Sequence, residues 1–563
     1  MQLQSILIPE EKQCSELYFR GGLSLAAGNI LSFDTYYNSF SYTKYREYTT
    51  VQNVCFSCKF SGKAWVELCV FDGQENIICG GEFSERAELS VQFSDLLGKG
   101  FLYPKITALT DFMFLNGEYI SDCQTQNISC CIAICTYRRE SYVMKNISLL
   151  RGFRFSFIDR VFVIDNGNTL DSTALSNDFI KVLPNKNFGG SGGFTRGLIE
   201  AHDGGFSHVI LMDDDIQFHA EMLEQMTVFV SLLREDCHDS WLSTGMLPLE
   251  NESCQFELGA EWNGKEAIVH KHNADITDRN VLVDNLDNYG VEYGGWWTLL
   301  MPVTVTEKGL PYPFFIKFDD VEYGLRKSAN VPIITMNGIA VKHEAFDRKK
   351  NFVLEYYNLR NELVMNAIYE KYGAWGAVRR FWYEAAKHLC LYRYDNIPLV
   401  MRAVNDFLGG TGFFLNCDEE KLNKSLMNES PKMKPLSDIP EWNEALRCDE
   451  HILDKNITLM MKITLGGHFI PSFLLKNEAV AVPLSRTGVV DCFGRQKVIQ
   501  YQLGGETGII TKRSVKKFVI YSAKTVWLSF RLVFGYKRVK KDFCARKGEI
   551  TSIEFWRKHL GLK

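Results

Sequence analysis

The chain of 563 residues lacks a basic start followed by an apolar core, and it has no uncharged apolar run of about 18 residues. Residues 1–9 therefore do not resemble a secretory signal, and the apolar runs alone predict no membrane span. The 16 cysteines are scattered. Cys55 and Cys58 form a lone CxxC pair in a strand-like stretch, which argues against a zinc site. We expect a cytosolic protein with reduced thiols.

The charge of the chain is small overall but uneven. The formal net charge is −5 at pH 7, so composition gives no reason to expect a nucleic-acid partner. Residues 511–563 nevertheless carry 15 Lys and Arg against three acids, Asp542, Glu549 and Glu554. Aromatic residues make up 13% of the chain, a high value that accompanies sugar binding but equally fills cores. We find no internal repeat and no low-complexity segment.

The pattern of apolar residues divides the chain into three regions, and we predict one domain for each, because a chain of this length exceeds a single core. In residues 1–127, apolar and polar residues alternate with a period of two in short runs separated by turns, which predicts an antiparallel β-sandwich. Residues 128–350 alternate buried strands with helices, which predicts an α/β fold with a mainly parallel sheet. Residues 351–563 have helical apolar spacing, which predicts a helical region.

The most informative feature is the run Asp213-Asp214-Asp215, which directly follows the apolar strand 208–212. Ligands of a parallel sheet bind at the carboxyl ends of its strands, and the predicted strands 128–135 and 160–165 also end in polar groups. Three adjacent carboxylates repel one another. A divalent cation that carries a diphosphate relieves this repulsion, since hard cations prefer oxygen ligands. The alternative interpretation is a solvated acidic turn.

Residues 187–201 form a glycine-rich segment that runs into a predicted helix. Glycines permit positive φ and close backbone approach, and a helix N-terminus offers free N–H groups to an anion. The spacing matches neither a Walker loop nor a dinucleotide fingerprint. The segment is therefore either a phosphate-binding loop or a merely flexible one, and its position shortly before the triple aspartate favours the first.

Further candidates lie downstream of the triple aspartate. Trp296 and Trp297 are adjacent in a predicted strand, so their side chains face opposite ways. One can form a flat platform for a sugar while the other packs in the core. The alternative is that both indoles pack in the core. Asp319 and Asp320 end an apolar run and open a helix, where one carboxylate can cap the helix and the other is available as a general base. His343 ends another apolar strand, which makes it a candidate metal ligand or a structural histidine.

The motifs that belong together are Cys135-Thr-Tyr-Arg-Arg, Asp165-Asn-Gly, Gly190-Ser-Gly-Gly-Phe-Thr-Arg-Gly, Met212-Asp-Asp-Asp-Ile, Gly294-Gly-Trp-Trp, Phe318-Asp-Asp-Val-Glu-Tyr-Gly-Leu-Arg, His343 and Tyr357-Asn-Leu-Arg-Asn. Their order and spacing over about 230 residues resemble the polymerising galactofuranosyltransferases of the bacterial cell envelope. Those are inverting GT-A enzymes related to the mycobacterial galactan polymerase. The resemblance implies a Rossmann-like GT-A core between an N-terminal β-sandwich and a C-terminal helical region. Between Asp320 and His343 this chain is about one residue shorter than that family, and the loop at 328–332 would absorb the difference.

The resemblance also implies a role for each matching residue. Asp213, Asp215 and His343 would hold a divalent metal, Mg²⁺ or Mn²⁺, and Asp320 would be the base, with Asp319 beside it. The acceptor groove would be shaped by Trp296, Trp297 and Glu322. The nucleotide-sugar would be bound by Thr136, Arg138, Arg139, Asp165, Gly190, Ser191, Gly192, Gly193, Arg196 and Asp214.

The implied reaction is the transfer of galactofuranose from UDP-galactofuranose, with inversion, to a hydroxyl of a growing envelope glycan such as galactan, O-antigen or capsule. One alternative is a GT-A transferase for another UDP-hexose. A second is a non-catalytic glycan-binding protein that keeps a GT-A shell. The joint presence of Asp213, Asp215, Asp320 and His343 argues against the second alternative.

The segment Val519–Phe534 has helical length and large apolar residues, interrupted by Lys524 and Arg531 and flanked by further basic residues. Such a pattern predicts a helix that lies on an anionic membrane surface. A helix packed on the protein with a solvated basic face is the alternative. We therefore expect a cytoplasmic enzyme that is peripheral on the inner face of the cell membrane and acts on a lipid-linked acceptor. A homo-oligomer is compatible with the sequence.

Overall fold

A computed structural model describes residues 1–9, 14–288, 290–326, 331–344, 351–447 and 455–562. These residues form two compact units. The first comprises Met1–Pro311, Asp320–Glu344 and Trp556–Lys563, and the second comprises Tyr312–Asp319 and Ala345–Phe555. Both the N-terminal sheet and the α/β region belong to the first unit. The finer division into three domains at residues 127 and 350 stays a prediction.

The N-terminal part of the first unit is an antiparallel sheet of seven strands, in the order β1-β7-β4-β6-β3, with β2 paired to β7 and β5 to β4. The strands are β1 (Gln2–Ser5), β2 (Ser24–Leu25), β3 (Ile30–Ser32), β4 (Asn53–Phe71), β5 (Glu75–Gln92), β6 (Phe101–Ala108) and β7 (Phe112–Ile120), and helix α1 (Tyr42–Tyr48) precedes β4. The long strand β4 pairs with β7 in its first half and with β6 in its second. The predicted antiparallel architecture is confirmed.

The period of two in the sequence explains which side of β4 faces the core. Val54, Phe56 and Phe60 are buried, whereas Lys59 between them is exposed. Successive side chains of a strand point to opposite faces, so this alternation buries one face of the sheet and leaves the other polar.

The second sheet of the first unit is the α/β sheet, with seven strands in the order β10-β9-β8-β11-β18-β12-β19. Strands β8 to β11 are mutually parallel where they pair, and β18 runs antiparallel beside β11. The strands of this region are β8 (Cys130–Thr136), β9 (Ile158–Asp165), β10 (Ile180–Pro184), β11 (His208–Asp213), β12 (Trp241–Ser243), β13 (Gly245–Pro248), β14 (Cys254–Gln255), β15 (Ala260–Trp262), β16 (Ala267–Val269), β17 (Ala274–Asp275), β18 (Thr298–Pro302), β19 (Ile333–Ile334) and β20 (Ala340–His343). Its helices are α2 (Glu140–Gly152), α3 (Ser172–Leu175), α4 (Gly189–Asp203), α5 (Ala220–Ser231), α6 (Arg279–Asp284) and α7 (Asp319–Arg326). The predicted α/β fold is confirmed.

The central residues of the parallel strands are apolar because both faces of the sheet are covered there. Ile132, Ile134, Val161 and Ile210, for example, have no exposed surface. The register then aligns the strand ends: Thr136 of β8 pairs with Asp165 of β9, and Cys135 pairs with Asp213 of β11. Polar residues that lie far apart in sequence are thereby brought to one edge.

The second unit is helical at both ends, as predicted, and contains a small sheet between them that the sequence did not predict. Its helices are α8 (Val353–Tyr369), α9 (Ala374–Cys390), α10 (Ile397–Leu408), α11 (Thr411–Asn416), α12 (Glu419–Glu429), α13 (Lys455–Ile463), α14 (Val489–Cys492) and α15 (Val515–Ile550), and the last helix, α16 (Ile553–Leu560), ends in the first unit. The five-stranded sheet has the order β21-β25-β24-β23-β22. Its strands are β21 (Lys434–Pro435), β22 (Leu446–Arg447), β23 (Val480–Pro483), β24 (Lys497–Tyr501) and β25 (Thr507–Lys512).

Helix α15 extends the predicted C-terminal helix to 36 residues. Among the described residues it is the one helix that is long and apolar enough to cross a membrane, judged by length and composition only. The most apolar 18-residue stretch of this helix is 22% buried. Trp527, Phe530 and Phe534 are exposed by 61%, 60% and 81%, so this stretch presents an apolar surface.

Candidate active site

The triple aspartate lies at the carboxyl edge of the α/β sheet, where Arg139 approaches from the end of β8. Nη1 of Arg139 lies 2.9 Å from Oδ1 of Asp214 and 2.7 Å from Oδ2 of Asp215. Burial opposes the charge of Arg139, but the two carboxylates raise its pKa. Burial likewise raises the pKa of Asp214, against the lowering effect of Arg139. One guanidinium therefore relieves part of the repulsion among the three carboxylates.

His343 reaches the same edge because of strand pairing outside the main sheet. Strand β20 pairs in parallel with β13, and Lys342 exchanges two backbone hydrogen bonds, 2.8 and 2.9 Å long, with Gln217 just after the triple aspartate. Nε2 of His343 consequently lies 3.3 Å from Oδ1 of Asp215. Nδ1 of the same ring lies 2.6 Å from the backbone oxygen of Glu344, to which it donates.

The donor set fits a divalent cation. Asp213, Asp215 and His343 offer ligand atoms that all lie within 4.8 Å of one another. When Nδ1 donates to a carbonyl, the imidazole presents a lone pair at Nε2, so Nε2 and the Asp215 carboxylate face each other as two acceptors. A cation between them satisfies both. The site therefore suits a divalent metal, as its sequence suggested.

Asp319 and Asp320 open helix α7, and only Asp320 is partly exposed. Oδ1 of Asp320 accepts a hydrogen bond of 2.8 Å from the backbone N–H of Val321. Glu322 of the same helix is fully buried and pairs with the guanidinium of Arg326. The Glu322 carboxylate therefore has a protein partner in the interior. A contact of Glu322 with an acceptor stays a prediction.

Sequence reasoning missed Glu257. This residue is 5% exposed, and its Oε1 is buried without a hydrogen-bond partner among the described residues. Burial, together with the nearby charge of Asp320, raises the pKa of Glu257 to about 8. Burial and the carboxylates of Asp320 and Glu257 also raise the pKa of Tyr293. The loop that carries Glu257 shows no motif, and its proximity to Asp320 arises only from the fold.

Three residues with left-handed φ precede α7 in the second unit. Phe315, Lys317 and Phe318 have φ of 67°, 68° and 68°, a region that non-glycine residues rarely adopt. The amide of Asn361 donates to the carbonyls of Ile316 and Lys317, at 3.0 and 2.8 Å. Each strained residue costs on the order of 1–3 kcal/mol and persists only where its surroundings hold it. Asn361 supplies such a clamp directly before Asp319 and Asp320.

Both tryptophans of the Gly-Gly-Trp-Trp motif are buried, with 5% of Trp296 and 8% of Trp297 exposed. The Trp296 ring contacts Phe194 edge to face at a centroid distance of 5.3 Å. The Trp297 Nε1 lies 3.4 Å from the carbonyl of Thr244. Neither indole presents an open platform, which matches the alternative that both pack in the core. A role of either in acceptor binding stays a prediction.

The glycine-rich segment differs from the expected loop, because helix α4 already begins at Gly189. Gly190, Ser191, Gly192 and Gly193 therefore lie in its first turns. A Cβ at Gly193 would lie 2.2 Å from Sγ of Cys135, far below van der Waals contact. The absence of a side chain thus lets α4 pack directly against β8, so that the helix N-terminus lies at the edge that carries the triple aspartate.

The remaining nucleotide candidates have protein partners of their own. Both oxygens of Asp165 are used by its turn, since they accept backbone N–H groups of Gly167, Thr169 and Leu170 at 2.8 to 2.9 Å. Arg196 pairs within α4 with Glu200, at 2.7 Å. These bonds stabilise the local structure, and nucleotide contacts of Asp165 and Arg196 stay predictions.

Thr136 and Arg138 lie on either side of the strand end of β8. Thr136 is buried as its last residue. Arg138 adopts a left-handed φ of 54°, and its guanidinium lies 5.3 Å from the ring centre of Tyr137. The tight turn directs the chain from β8 into α2.

The loop at 328–332, which was expected to absorb a length difference, lies mostly outside the described residues.

Comparison with known proteins gives two family matches and two curated relatives. Residues 4–122 match the family "Galactofuranosyltransferase 2 N-terminal", and residues 131–237 match "Glycosyl transferase family 2". Galactofuranosyltransferase GlfT2 of Mycobacterium tuberculosis (strain ATCC 25618 / H37Rv) is 26% identical over 433 residues, which cover 69% of this chain and 67% of the relative. The protein of the same name from Mycolicibacterium smegmatis (strain ATCC 700084 / mc(2)155) is 24% identical over 432 residues, with 69% and 66% covered.

This chain thus spans about two thirds of the length of either relative. Among solved structures, the mannosyltransferase PcManGT from Pyrobaculum calidifontis, in complex with GDP-Man and Mn²⁺, is 11% identical at a TM-score of 0.31, with 50% of this chain and 77% of that chain covered. The two family matches follow each other along the chain as the antiparallel sheet and the α/β sheet do. The chain is accordingly related to the galactofuranosyltransferases GlfT2, and its α/β region is related to the glycosyl transferases of family 2.

Proposed function

We propose that the protein transfers galactofuranose from UDP-galactofuranose to a growing cell-envelope glycan, with inversion at the anomeric carbon. The observation that carries this proposal is the cluster of Asp213, Asp215 and His343 at the sheet edge, in a chain similar to GlfT2 on both sides of that cluster. Galactan, O-antigen and capsule are the glycan classes that this donor would build.

The metal of the reaction would be held by Asp213, Asp215 and His343. A cation bound there neutralises charge on the diphosphate of the leaving UDP. An imidazole ligand favours Mn²⁺ over Mg²⁺, because Mg²⁺ demands oxygen ligands and retains its waters. We therefore propose Mn²⁺ as the better cofactor.

Asp320 would be the general base, with Asp319 beside it. Its carboxylate takes the proton of an acceptor hydroxyl, whose oxygen attacks the anomeric carbon while UDP leaves from the opposite face, which inverts the configuration. Partial exposure of Asp320 supports this role, since the acceptor must reach it. The buried Glu257 places a second carboxyl group near Asp320, and its raised pKa favours the protonated, neutral form of Glu257.

The UDP-sugar would occupy the edge formed by the ends of β8 and β9 and the start of α4, as in other α/β sheets. Arg138 or Arg139, together with Asp165, would contact the uracil and ribose side, and Asp214 would be a further donor contact. The remaining proposed donor contacts are Thr136, Gly190, Ser191, Gly192, Gly193 and Arg196. On the acceptor side, Trp296, Trp297 and Glu322 would support the groove from behind, since all three are buried.

The acceptor would be lipid-linked, and the enzyme would act at the inner face of the cell membrane. The exposed Trp527, Phe530 and Phe534 of α15, together with Lys524 and Arg531, support an interfacial position of this helix. A homo-oligomer would present several such helices to one membrane surface.

Product analysis tests the proposed function. Purified protein is incubated with Mn²⁺, a short panel of lipid-linked acceptors and either UDP-galactofuranose or UDP-galactopyranose. We expect glycan extension with the furanose donor only, and β-configured linkages by NMR. Equal use of UDP-galactopyranose would contradict the donor, and donor hydrolysis without extension of any acceptor would contradict the polymerase role.

A further inference from the structure

The second unit contains a basic cavity of about 290 Å³, just below the about 300–1,000 Å³ that is typical of small-molecule sites. Four cationic side chains line it, Arg393, Lys512, Arg513 and Lys517, against a single carboxylate, Asp395. The excess of positive charge selects an anion, and the modest volume selects a small one.

Arg393 is the unusual member of this lining. It is 3% exposed, and burial lowers its pKa to about 10. Its Nε donates to Oε1 of Gln500 at 2.5 Å and its Nη2 to the carbonyl of Leu484 at 3.0 Å. Within the described part of the chain, Nη1 has no hydrogen-bond partner, and no carboxylate forms an ion pair with Arg393. A buried charge with no carboxylate at ion-pair distance is costly, and the more distant charge of Glu355 offsets the effect of burial only in part. An anion in the cavity would therefore stabilise Arg393.

The long helix α15 begins at this cavity. Its N-cap, Ser514, lines the cavity and accepts a hydrogen bond of 3.2 Å from the N–H of Lys517. The N–H of Ser514 itself donates to the hydroxyl of Tyr394 at 3.0 Å. The N-terminus of a helix carries partial positive charge, which adds to the field of the cationic side chains.

The other three cationic side chains of the cavity differ in the hydrogen bonds and ion pairs that they form with protein groups. Lys517 pairs with Asp395 at 2.7 Å. The guanidinium of Arg513 donates to the carbonyls of His468 and Ile470, at 2.6 and 3.0 Å. Lys512, the last residue of β25, is exposed and forms no ion pair with any described residue. Arg393 and Lys512 therefore have the capacity to bind an anion.

We propose that this cavity binds a phosphate or pyrophosphate group, at a site separate from the triple aspartate. A soluble phosphate and the headgroup of an anionic lipid share this chemistry. Val519 and Ile520, in the next turn of α15, are exposed by 51% and 41%, so a lipid whose phosphate occupies the cavity would find apolar surface beside it.

The first test measures pyrophosphate binding to the full-length protein by calorimetry in EDTA, where the triple aspartate has no metal with which to hold the anion. Lys512→Ala should weaken binding about tenfold, the loss of one charge-assisted hydrogen bond. Lys516→Ala is the matched control, since this exposed lysine is on the same helix start but does not line the cavity. We expect it to change binding less than about twofold, as for a screened surface charge.

The second test separates the two sources of the anion. Co-sedimentation is measured with phosphatidylcholine vesicles that contain either phosphatidic acid or an equal charge of phosphatidylserine. Selective loss of phosphatidic acid binding in Lys512→Ala assigns a lipid headgroup, whereas loss of pyrophosphate binding alone assigns a soluble anion. The proposal is wrong if wild-type protein binds neither probe, or if Lys512→Ala and Lys516→Ala weaken binding equally.

Arg393→Met supplies an independent variant, with folding checked by its melting temperature. Pyrophosphate should raise the melting temperature of the wild-type protein and leave that of Arg393→Met unchanged. If this variant does not fold, the comparison of Lys512→Ala with Lys516→Ala still tests whether the cavity binds the anion. Activity with UDP-galactofuranose is recorded separately, so failure of this site and failure of the proposed function remain distinguishable.

Discussion

The Nε2 atom of His343 lies 3.3 Å from the Oδ1 atom of Asp215, although the two residues are far apart in sequence. The contact exists because Lys342 pairs with Gln217 through two backbone hydrogen bonds. The backbone of the proposed metal ligand His343 is thereby held beside the triple aspartate by main-chain pairing.

His343→Ala should weaken Mn²⁺ binding by at least about tenfold, since even the loss of an outer-shell partner costs about 10–100-fold. Calorimetric titration of the purified protein with Mn²⁺ measures this directly. His202→Ala, which removes a half-exposed histidine of α4, is the control and should bind Mn²⁺ as the wild type does. Unchanged affinity in His343→Ala, or full activity in excess EDTA, would refute the metal site.

Asp320→Asn should lower turnover by about 10²–10⁴-fold while UDP-galactofuranose binding is largely kept, because the amide cannot accept the acceptor proton. Turnover and donor affinity are measured separately, by product formation and by titration. Asp319→Asn is the comparison, since Asp319 is buried at the start of the same helix. If Asp320→Asn turns over normally and Asp319→Asn does not, the base has been misassigned.

The parts of this site that sequence predicted are those with a local pattern. The apolar runs and the carboxylates that end them define strand ends, and parallel pairing then brings Asp165 and Asp213 to one edge. Glu257 carries no such pattern, and its place beside Asp320 depends on a loop geometry that only the fold provides. In the sheet of β21 to β25, which the sequence did not predict, the two-residue strands at 434–435 and 446–447 are too short to show alternation.

The role of the glycines was predicted only in part. The sequence suggested either a phosphate-binding loop or a merely flexible one, because it does not reveal that Cys135 lies against Gly193. The structure makes close packing of α4 on β8 the reason for a glycine at this position.

Gly193→Ala should therefore destabilise the protein, by about 1–3 kcal/mol, because the added methyl meets Sγ of Cys135 at 2.2 Å. Gly152→Ala at the end of α2 is the control, since no atom lies within 4 Å of its added Cβ. Urea unfolding of both variants checks the expectation. Equal midpoints for Gly193→Ala and the wild type would show that α4 is not held against β8.

Asn361→Ala should reduce kcat about ten- to hundredfold, since the segment before α7 loses the donor to the carbonyls of Ile316 and Lys317, and the proposed catalytic carboxylates that follow it would lose their position. The KM for the donor should change little, because Asn361 is not among the proposed donor contacts. Asn366→Ala removes a buried amide of the same helix that bonds to Glu362, and should affect stability without a comparable loss of kcat. Similar kcat values for both variants would contradict the clamp.

Glu257 gives the stability of the protein a specific pH dependence. Burial and Asp320 raise its pKa to about 8 in the folded state, whereas an unfolded glutamate titrates near about 4.3. Between these two values the unfolded chain has released the proton and the folded protein has kept it. The unfolded state then binds fewer protons, so the free energy of unfolding falls as pH rises from about 4.3 to about 8, and levels off above.

Glu257→Gln replaces the titrating carboxyl group by an amide. The fall in the free energy of unfolding that Glu257 causes between about pH 4.3 and about pH 8 should therefore disappear in this variant. We expect the variant to gain stability over the wild type as pH rises from about 5 to about 8, with a difference of up to a few kcal/mol, since each pKa unit corresponds to about 1.4 kcal/mol. Urea unfolding at both pH values measures the gain, and Glu266→Gln, at an exposed glutamate, is the control. A pH-independent difference between Glu257→Gln and the wild type would mean that Glu257 is ionised in the folded protein. Two negative charges would then lie side by side at Asp320 and Glu257, and the acceptor site would be electrostatically different from the one described above.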